Sequence, residues 1–228
     1  MKTLVDHAII LSRIDYQEAD RILTMLTKDH GKITVIAKGA RKSKSKLAGG
    51  IELFSSNQIT FLPGRGDVGT LVSSRLDESF HQIIQDVQRT MFAYDVLKAV
   101  YGHVEQGAGQ DLYGWLCTTL AGLHNLQLSF LAVRLWSDMH FLQLTGHAPN
   151  LAMDTSGKSL EKDKLYDFSF EDSGFFVHPS GAFSADHIKL LRLCLRSTHP
   201  RIIANISGGD QLLQTTSQLA ERLRQYSI

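Results

Sequence analysis

Nine residues from Lys38 to Lys46 carry five cations, Lys38, Arg41, Lys42, Lys44 and Lys46, and no acid. A β-prone run, Ile33-Thr34-Val35-Ile36-Ala37, feeds directly into them, so the spacing predicts a mobile basic finger at a strand end. The chemistry open to such a finger is polyanion binding. Cations laid along a phosphate backbone release condensed counterions, which gives affinity with little sequence information. Read alone, the same run also describes a solvated loop that keeps a chain soluble. Arg13 and Lys32 are further candidates for phosphate contact, and Arg65 could extend the basic face from the tip of a glycine-rich turn. Tyr16 lies in a polar stretch as a ring on which a base could stack, an interaction worth roughly 1–3 kcal/mol. Phe54 and Phe61 fit a core better. Arg134 stands alone on an apolar helical stretch, either as a salt-bridged edge residue or as a cation that grips an acidic peptide.

Other chemistries find less support. Gly64-Arg65-Gly66-Asp67-Val68-Gly69 satisfies G-x-G-x-x-G, but Thr70-Leu71-Val72-Ser73-Ser74 after it reads as a strand, where a dinucleotide fingerprint needs a helix. It reads as a hairpin turn. The segment Ala152–Ser159, with Gly157-Lys158-Ser159, resembles a relaxed phosphate-binding loop; a nucleotide-using enzyme built on it is an alternative, although its neighbours do not read as a buried strand and helix. The ten histidines form no zinc-type spacing, and Cys117 and Cys194 sit singly in apolar helical patterns as small core residues. No nucleophile–base trio or carboxylate pair stands out. The reading is a non-enzyme with no cofactor and no metal.

The elements that must hold the finger follow from periodicity. Short β-rich runs at residues 2–12, 22–27, 33–37, 52–62 and 70–75, punctuated by turns, predict a five-stranded OB-type barrel, with an SH3-like barrel sharing the strand count. From Leu76 the period becomes helical. Ile83, Ile84, Val87, Met91, Tyr94, Leu97, Val100, Tyr101 and Val104 predict one long helix with a buried face, and further helices follow over 110–123, 126–144, from Ser184, and 211–226. Residues 150–183 form a polar insertion with a small hairpin. The expected organisation is α+β: an OB-fold nucleic-acid-binding domain over 1–78 and a helical domain over 79–228.

Composition agrees with a globular chain of 228 residues, 43% hydrophobic and 21% charged, with a net charge of +1. The charge is segregated. Residues 1–80 carry 12 Lys and Arg against 9 Asp and Glu, a net of +3, and the other 148 carry 12 against 14, a net of −2. With no signal peptide, no apolar run of membrane-spanning length and no cysteine framework, no membrane association is expected and the compartment is the reducing cytoplasm.

Ala8-Ile9-Ile10-Leu11, Arg13, Tyr16-Gln17-Glu18-Ala19-Asp20-Arg21-Ile22-Leu23, Leu26-Thr27, Gly31 and Ala37-Lys38-Gly39-Ala40-Arg41 together resemble the N-terminus of the bacterial RecO recombination-mediator family, and Leu142–Leu151 looks like its "G-x-x-P-x-L" turn. The resemblance implies an OB barrel joined to a helical domain. It also implies binding of single- and double-stranded DNA, annealing of complementary strands, and help to RecA, with RecR, in replacing single-stranded DNA-binding protein (SSB). DNA binding would place the chain at the bacterial nucleoid. The acidic tail of SSB is an implied partner, with Arg134 as its candidate cation. Many relatives carry a four-cysteine zinc module after that turn, and residues 153–156 and 178–181 here hold no cysteine, so the insertion must pack without zinc or stay loose. An RNA-binding OB protein is the rival reading.

Overall fold

Strands β1 (Leu4–Tyr16), β2 (Asp20–Thr27), β3 (Gly31–Ala37), β4 (Ser55–Leu62) and β5 (Val68–Ser79) close into a barrel in the order β1-β2-β3-β5-β4. The computed structural model describes residues 2–64, 66–103, 110–206 and 210–227. β1 is long enough to pair with both β2 and β4, and β3 pairs with β5 in parallel, which is the connectivity of the expected OB-type barrel. Period-2 alternation sends Ala8, Ile10, Leu23, Met25, Val35, Ala37, Ile59, Phe61 and Leu71 into one core.

Closure depends on a glycine. Gly69 faces Val35 across the parallel pair, and a Cβ there would sit 2.6 Å from the Leu62 carbonyl oxygen and 3.4 Å from Val35 Cγ1. No larger residue lets the strands approach this closely.

Two expectations shift. Arg13 and Tyr16, expected in a polar link, are strand residues, because pairing continues through Arg13–Leu23 and Ile14–Ile22 to Tyr16–Asp20 before a tight turn with Gln17 at φ 50°. The expected helical face from Ile83 is also redistributed. A 3₁₀ turn at His81–Gln85 buries Ile83 and exposes Ile84, and α1 (Val87–His103) after it buries Phe92, Ala93, Val96, Leu97 and Val100 and leaves Val87, Met91, Tyr94 and Tyr101 exposed. The segment is apolar on two sides, so periodicity alone selects a stripe without telling which side meets the barrel. Val104 lies outside the described residues.

The chain forms two compact units, Met1–Asn125 and Leu126–Ile228. The sequence reading divides the chain at the change of period after 78, whereas packing places α1 and α2 (Gln110–His124) in the barrel's unit, where both touch β1. Arg89 joins the two helices. Its buried guanidinium donates to the carbonyls of Gly122, Leu123 (2.9 Å) and Asn125 at the end of α2, and burial pulls its pKa down from the usual arginine value.

In the second unit α3 (Phe130–Leu144) packs against α4 (Ala185–Arg196), α5 (Arg201–Ala204) and α6 (Asp210–Ser227). Ser184 caps α4 as expected, in a reciprocal box with His187. The insertion is ordered: β6 (Asn150–Asp154), β8 (Gly174–Val177) and β7 (Tyr166–Ser169) make a three-stranded sheet. Its centre is aromatic. Phe175 meets Tyr166, Phe168 and Phe183 edge to face, and Gly181 lies so close to the Tyr166 backbone that a Cβ would fall 2.4 Å from its carbonyl carbon. Between α3 and α4, His140 Nε2 donates to the carbonyls of Cys194 and Ser197, both at 2.9 Å, against the Trp136 ring at 4.3 Å. Burial holds this imidazole below the usual histidine range.

Gly69→Ala is expected to cost about 1–3 kcal/mol, whereas Gly66→Ala, with open space around its Cβ, leaves the thermal midpoint near wild type; equal midpoints would refute the role assigned to Gly69. His140, His187 and His199 are all lowered, chiefly by burial, so their neutral forms belong to the folded state. Their contribution to stability is complete above the unfolded histidine pKa of about 6.5 and is lost as pH falls from there through the lower folded values. Melting curves from pH 7 to 5 should show a falling midpoint, with a smaller drop in His140→Gln.

Candidate nucleic-acid interface

The basic loop is anchored at both ends. Ala40, Leu47 and Ile51 insert into the barrel core, and tight turns link them through Lys42 N to Gly39 O (3.1 Å) and Ser45 N to Lys42 O (2.9 Å). Gly39 supports the first turn at φ 64°; its N–H donates to Asp20 Oδ1 at 2.7 Å, and the Arg41 N–H donates to Ala19 O at 2.9 Å. The expected mobile finger is therefore a folded loop tied to the β1–β2 turn. The buried alanine and leucine leave the positions between them facing solvent. Lys38, Lys42, Lys44 and Lys46 are exposed and, among the described residues, have no ion-pair partner.

The arginines behave differently. Arg41 Nε lies 3.4 Å from Asp15 Oδ2 and its Nη1 donates to Glu18 O at 3.2 Å, while Arg13 pairs with Glu52. Arg21 completes the network, 3.0 Å from Asp15 and 3.6 Å from Glu52. Three guanidiniums thus share two carboxylates, so Arg13 and Arg41 are half-neutralised rather than free. Arg21 is the residue sequence reasoning missed, because its partner is set by the β1–β2 register that brings it directly opposite Asp15.

The remaining candidates divide. Tyr16 is 40% exposed and shares the outer sheet face with Ile14, itself exposed. Phe54 and Phe61 are buried, as expected. Lys32 is not part of the finger. It lies at the far end of β3, six residues or about 20 Å from Lys38, with Nζ donating to the Tyr101 carbonyl at 2.8 Å and resting 5.3 Å from that ring. Arg65 lies outside the described residues.

Arg134, read either as a salt-bridged edge residue or as a cation for an acidic peptide, is ion-paired: it meets Glu221 of α6 and lies 3.7 Å from Asp138, whose buried carboxylate also meets Arg224 Nε at 2.8 Å. The apolar helix face can hold this cation because the second unit supplies carboxylates for it.

The nucleotide-loop reading is overturned. Asp154 Oδ1 accepts from Ser156 N (2.9 Å), Ser156 Oγ (2.7 Å) and Lys158 N (2.9 Å), which holds its carboxyl below the usual range. The amides that would cradle a phosphate are already donated, and Ser159 bridges back to Met153 where a helix would have to start. The Gly64–Gly69 turn likewise leads into β5. Burial pushes the Cys117 thiol up and that of Cys194 to about 12, so both suit a core rather than nucleophilic chemistry. Among the described residues no group of His, Cys, Asp and Glu is placed to hold a metal ion, and no helix is long and apolar enough to cross a membrane.

Residues 1–80 match the family model "Recombination protein O N terminal", the same span as the barrel. A DNA repair protein RecO of Listeria monocytogenes is 30% identical over 195 residues, 81% of this chain and 74% of its own. The chain belongs to the RecO family. Relatives of the same name from Dehalococcoides mccartyi (34% over 145 residues, 63% of this chain) and Desulfatibacillum aliphaticivorans (31% over 154 residues, 66% of this chain) align over 56% and 60% of their own lengths. This RecO-family barrel carries loop lysines that have no ion-pair partner among the described residues, beside a partly neutralised arginine network. In Asp15→Asn/Glu52→Gln the three guanidiniums lose their carboxylates, so the protein should elute from heparin at higher salt, with little change in thermal midpoint because half-exposed pairs are worth about 0–1 kcal/mol; unchanged elution would show that these arginines do not face the polyanion.

Proposed function

We propose that this RecO-family chain acts in DNA repair and recombination by binding single- and double-stranded DNA and annealing complementary strands, without bond chemistry of its own. The observation that supports this most is the anchored loop with Lys38, Lys42, Lys44 and Lys46 exposed and, among the described residues, without an ion-pair partner. Because the loop backbone is already ordered, little backbone entropy is lost when phosphates reach its four ammonium groups. Arg13 and Arg41 would add to the grip by exchanging Asp15 and Glu52 for phosphate, and Tyr16 with Ile14 offers a face on which a base can rest. Arg65 remains a proposed contact.

The proposal extends to helping RecA, with RecR, replace SSB on single strands. An acidic SSB tail reaching Arg134 would exchange with the Glu221 carboxylate there, which is why this cation can be both internally paired and a docking point.

Replacing Lys38, Lys42, Lys44 and Lys46 together by Ala should abolish annealing, keep the thermal midpoint near wild type, and lower the slope of log affinity against log salt for a single strand by about 3, since each phosphate contact contributes about 0.7. Annealing that survives would remove the loop from the mechanism. Tighter binding of RNA than of single-stranded DNA in direct competition would move the assignment to an RNA-binding protein.

A further inference from the structure

The second unit carries a basic row that the proposed function has not used. On α4, Lys189, Arg192 and Arg196 follow one another at three- and four-residue spacing and therefore share a helix face. Lys189 borders a hollow of about 510 Å³ that shares Ala152, Arg192 and Arg196 with an adjoining one of about 370 Å³, so the hollows form one groove between α4 and β6. Arg192 is set in place: its Nε (2.9 Å) and Nη2 both donate to the Leu151 carbonyl. Two of five guanidinium N–H groups are thereby used and three are left for a ligand. The Arg196 side chain is exposed, with no hydrogen bond or ion pair among the described residues. Asp186 is the acid of this helix, and it is engaged by Lys189 at 2.9 Å in a pair exposed on both sides, which a phosphate can displace.

We infer that this α4 groove is a second nucleic-acid site, which holds the phosphate backbone of the partner strand while the basic loop of the barrel holds the first. The inference rests on the reading of the chain as a strand-annealing protein. Two complementary strands repel each other as polyanions, so a protein that brings them together must neutralise both, and one four-lysine loop is a site for one. The dimensions fit. Seven residues of helix separate Lys189 from Arg196 by about 10 Å, the length of a short run of backbone phosphates. A fixed guanidinium flanked by two freer cations suits a regular row of phosphates better than a single carboxylate. The low wall formed by Ala152, Leu193 and Leu195 can take the sugar edge.

The test uses the full chain bound to an immobilised single strand, washed, and then offered a labelled strand that is not complementary to the first. The wild type should capture the second strand. Lys189→Glu/Arg196→Glu, which leaves the Arg192–Leu151 contact intact, should bind the first strand within about twofold of wild type, capture the second at least tenfold less, and anneal at least tenfold more slowly; Lys189→Arg/Arg196→Lys should restore both. Second-strand capture equal to wild type in the charge-reversed variant would overturn the inference, as would a wild type that binds one strand and never a second. An acidic peptide whose binding is lost in that variant while strand capture persists would assign the groove to a protein partner and also overturn it. A wild type that binds no first strand would instead sink the reading of the basic loop.

Discussion

The parallel contact between β3 and β5 at Val35 and Gly69 governs much else in this molecule. Because β5 lies between β3 and β4 in the barrel, the chain leaving β3 cannot turn back into β4 by a tight hairpin and must pass over the barrel end. The crossing segment is the basic loop. Its apolar residues, Ala40, Leu47 and Ile51, close the barrel end that the crossing covers, and its lysines point away because the inward positions are taken. Barrel closure and cation display are thus one piece of packing, and both depend on strands approaching too closely for any side chain at position 69.

A division of labour between the two kinds of cation is clearest around the basic loop of the barrel. Arginine, with a rigid fork of donors, is used to hold the fold: Arg13, Arg21 and Arg41 on two carboxylates, Arg89 on the carbonyls that end α2, Arg192 on Leu151, Arg134 and Arg224 around Asp138. Lysine, more strongly hydrated and on a flexible stem, is left at the surface of the loop. A nearly neutral chain can therefore present a strongly cationic patch, because its acids are spent on arginines a few ångströms away.

The second unit shows how an insertion without cysteines can be ordered by hydrophobic packing. The phenylalanines around Phe175 and the close approach of Gly181 to Tyr166 supply a small dry centre, and Arg222 stacks on Phe170 at 4.5 Å. The buried Asp138 cluster is costly to desolvate and is retained between α3 and α6, where two arginines meet it from different helices.

Local rules determined a good deal from sequence alone. Alternation and turn residues were sufficient for five strands and a barrel, the Ser184 cap marked its helix, and five cations without an acid marked the loop. Those are short-range properties: side-chain period, backbone preference and net charge per segment need no knowledge of distant residues. Tertiary structure alone decided which cations are free, because Glu52 and Asp15 reach Arg13 and Arg41 only after β1 pairs with β2 and the loop folds back. It likewise withdrew Lys32 onto Tyr101 and Arg134 onto Glu221, selected one of two apolar stripes on α1, and consumed the amides of the Gly157-Lys158 turn in an Asp154 cap. The physical reason is the same each time: an ion pair or a buried face is set by distances between residues far apart in the chain, and such distances exist only once the chain has closed on itself.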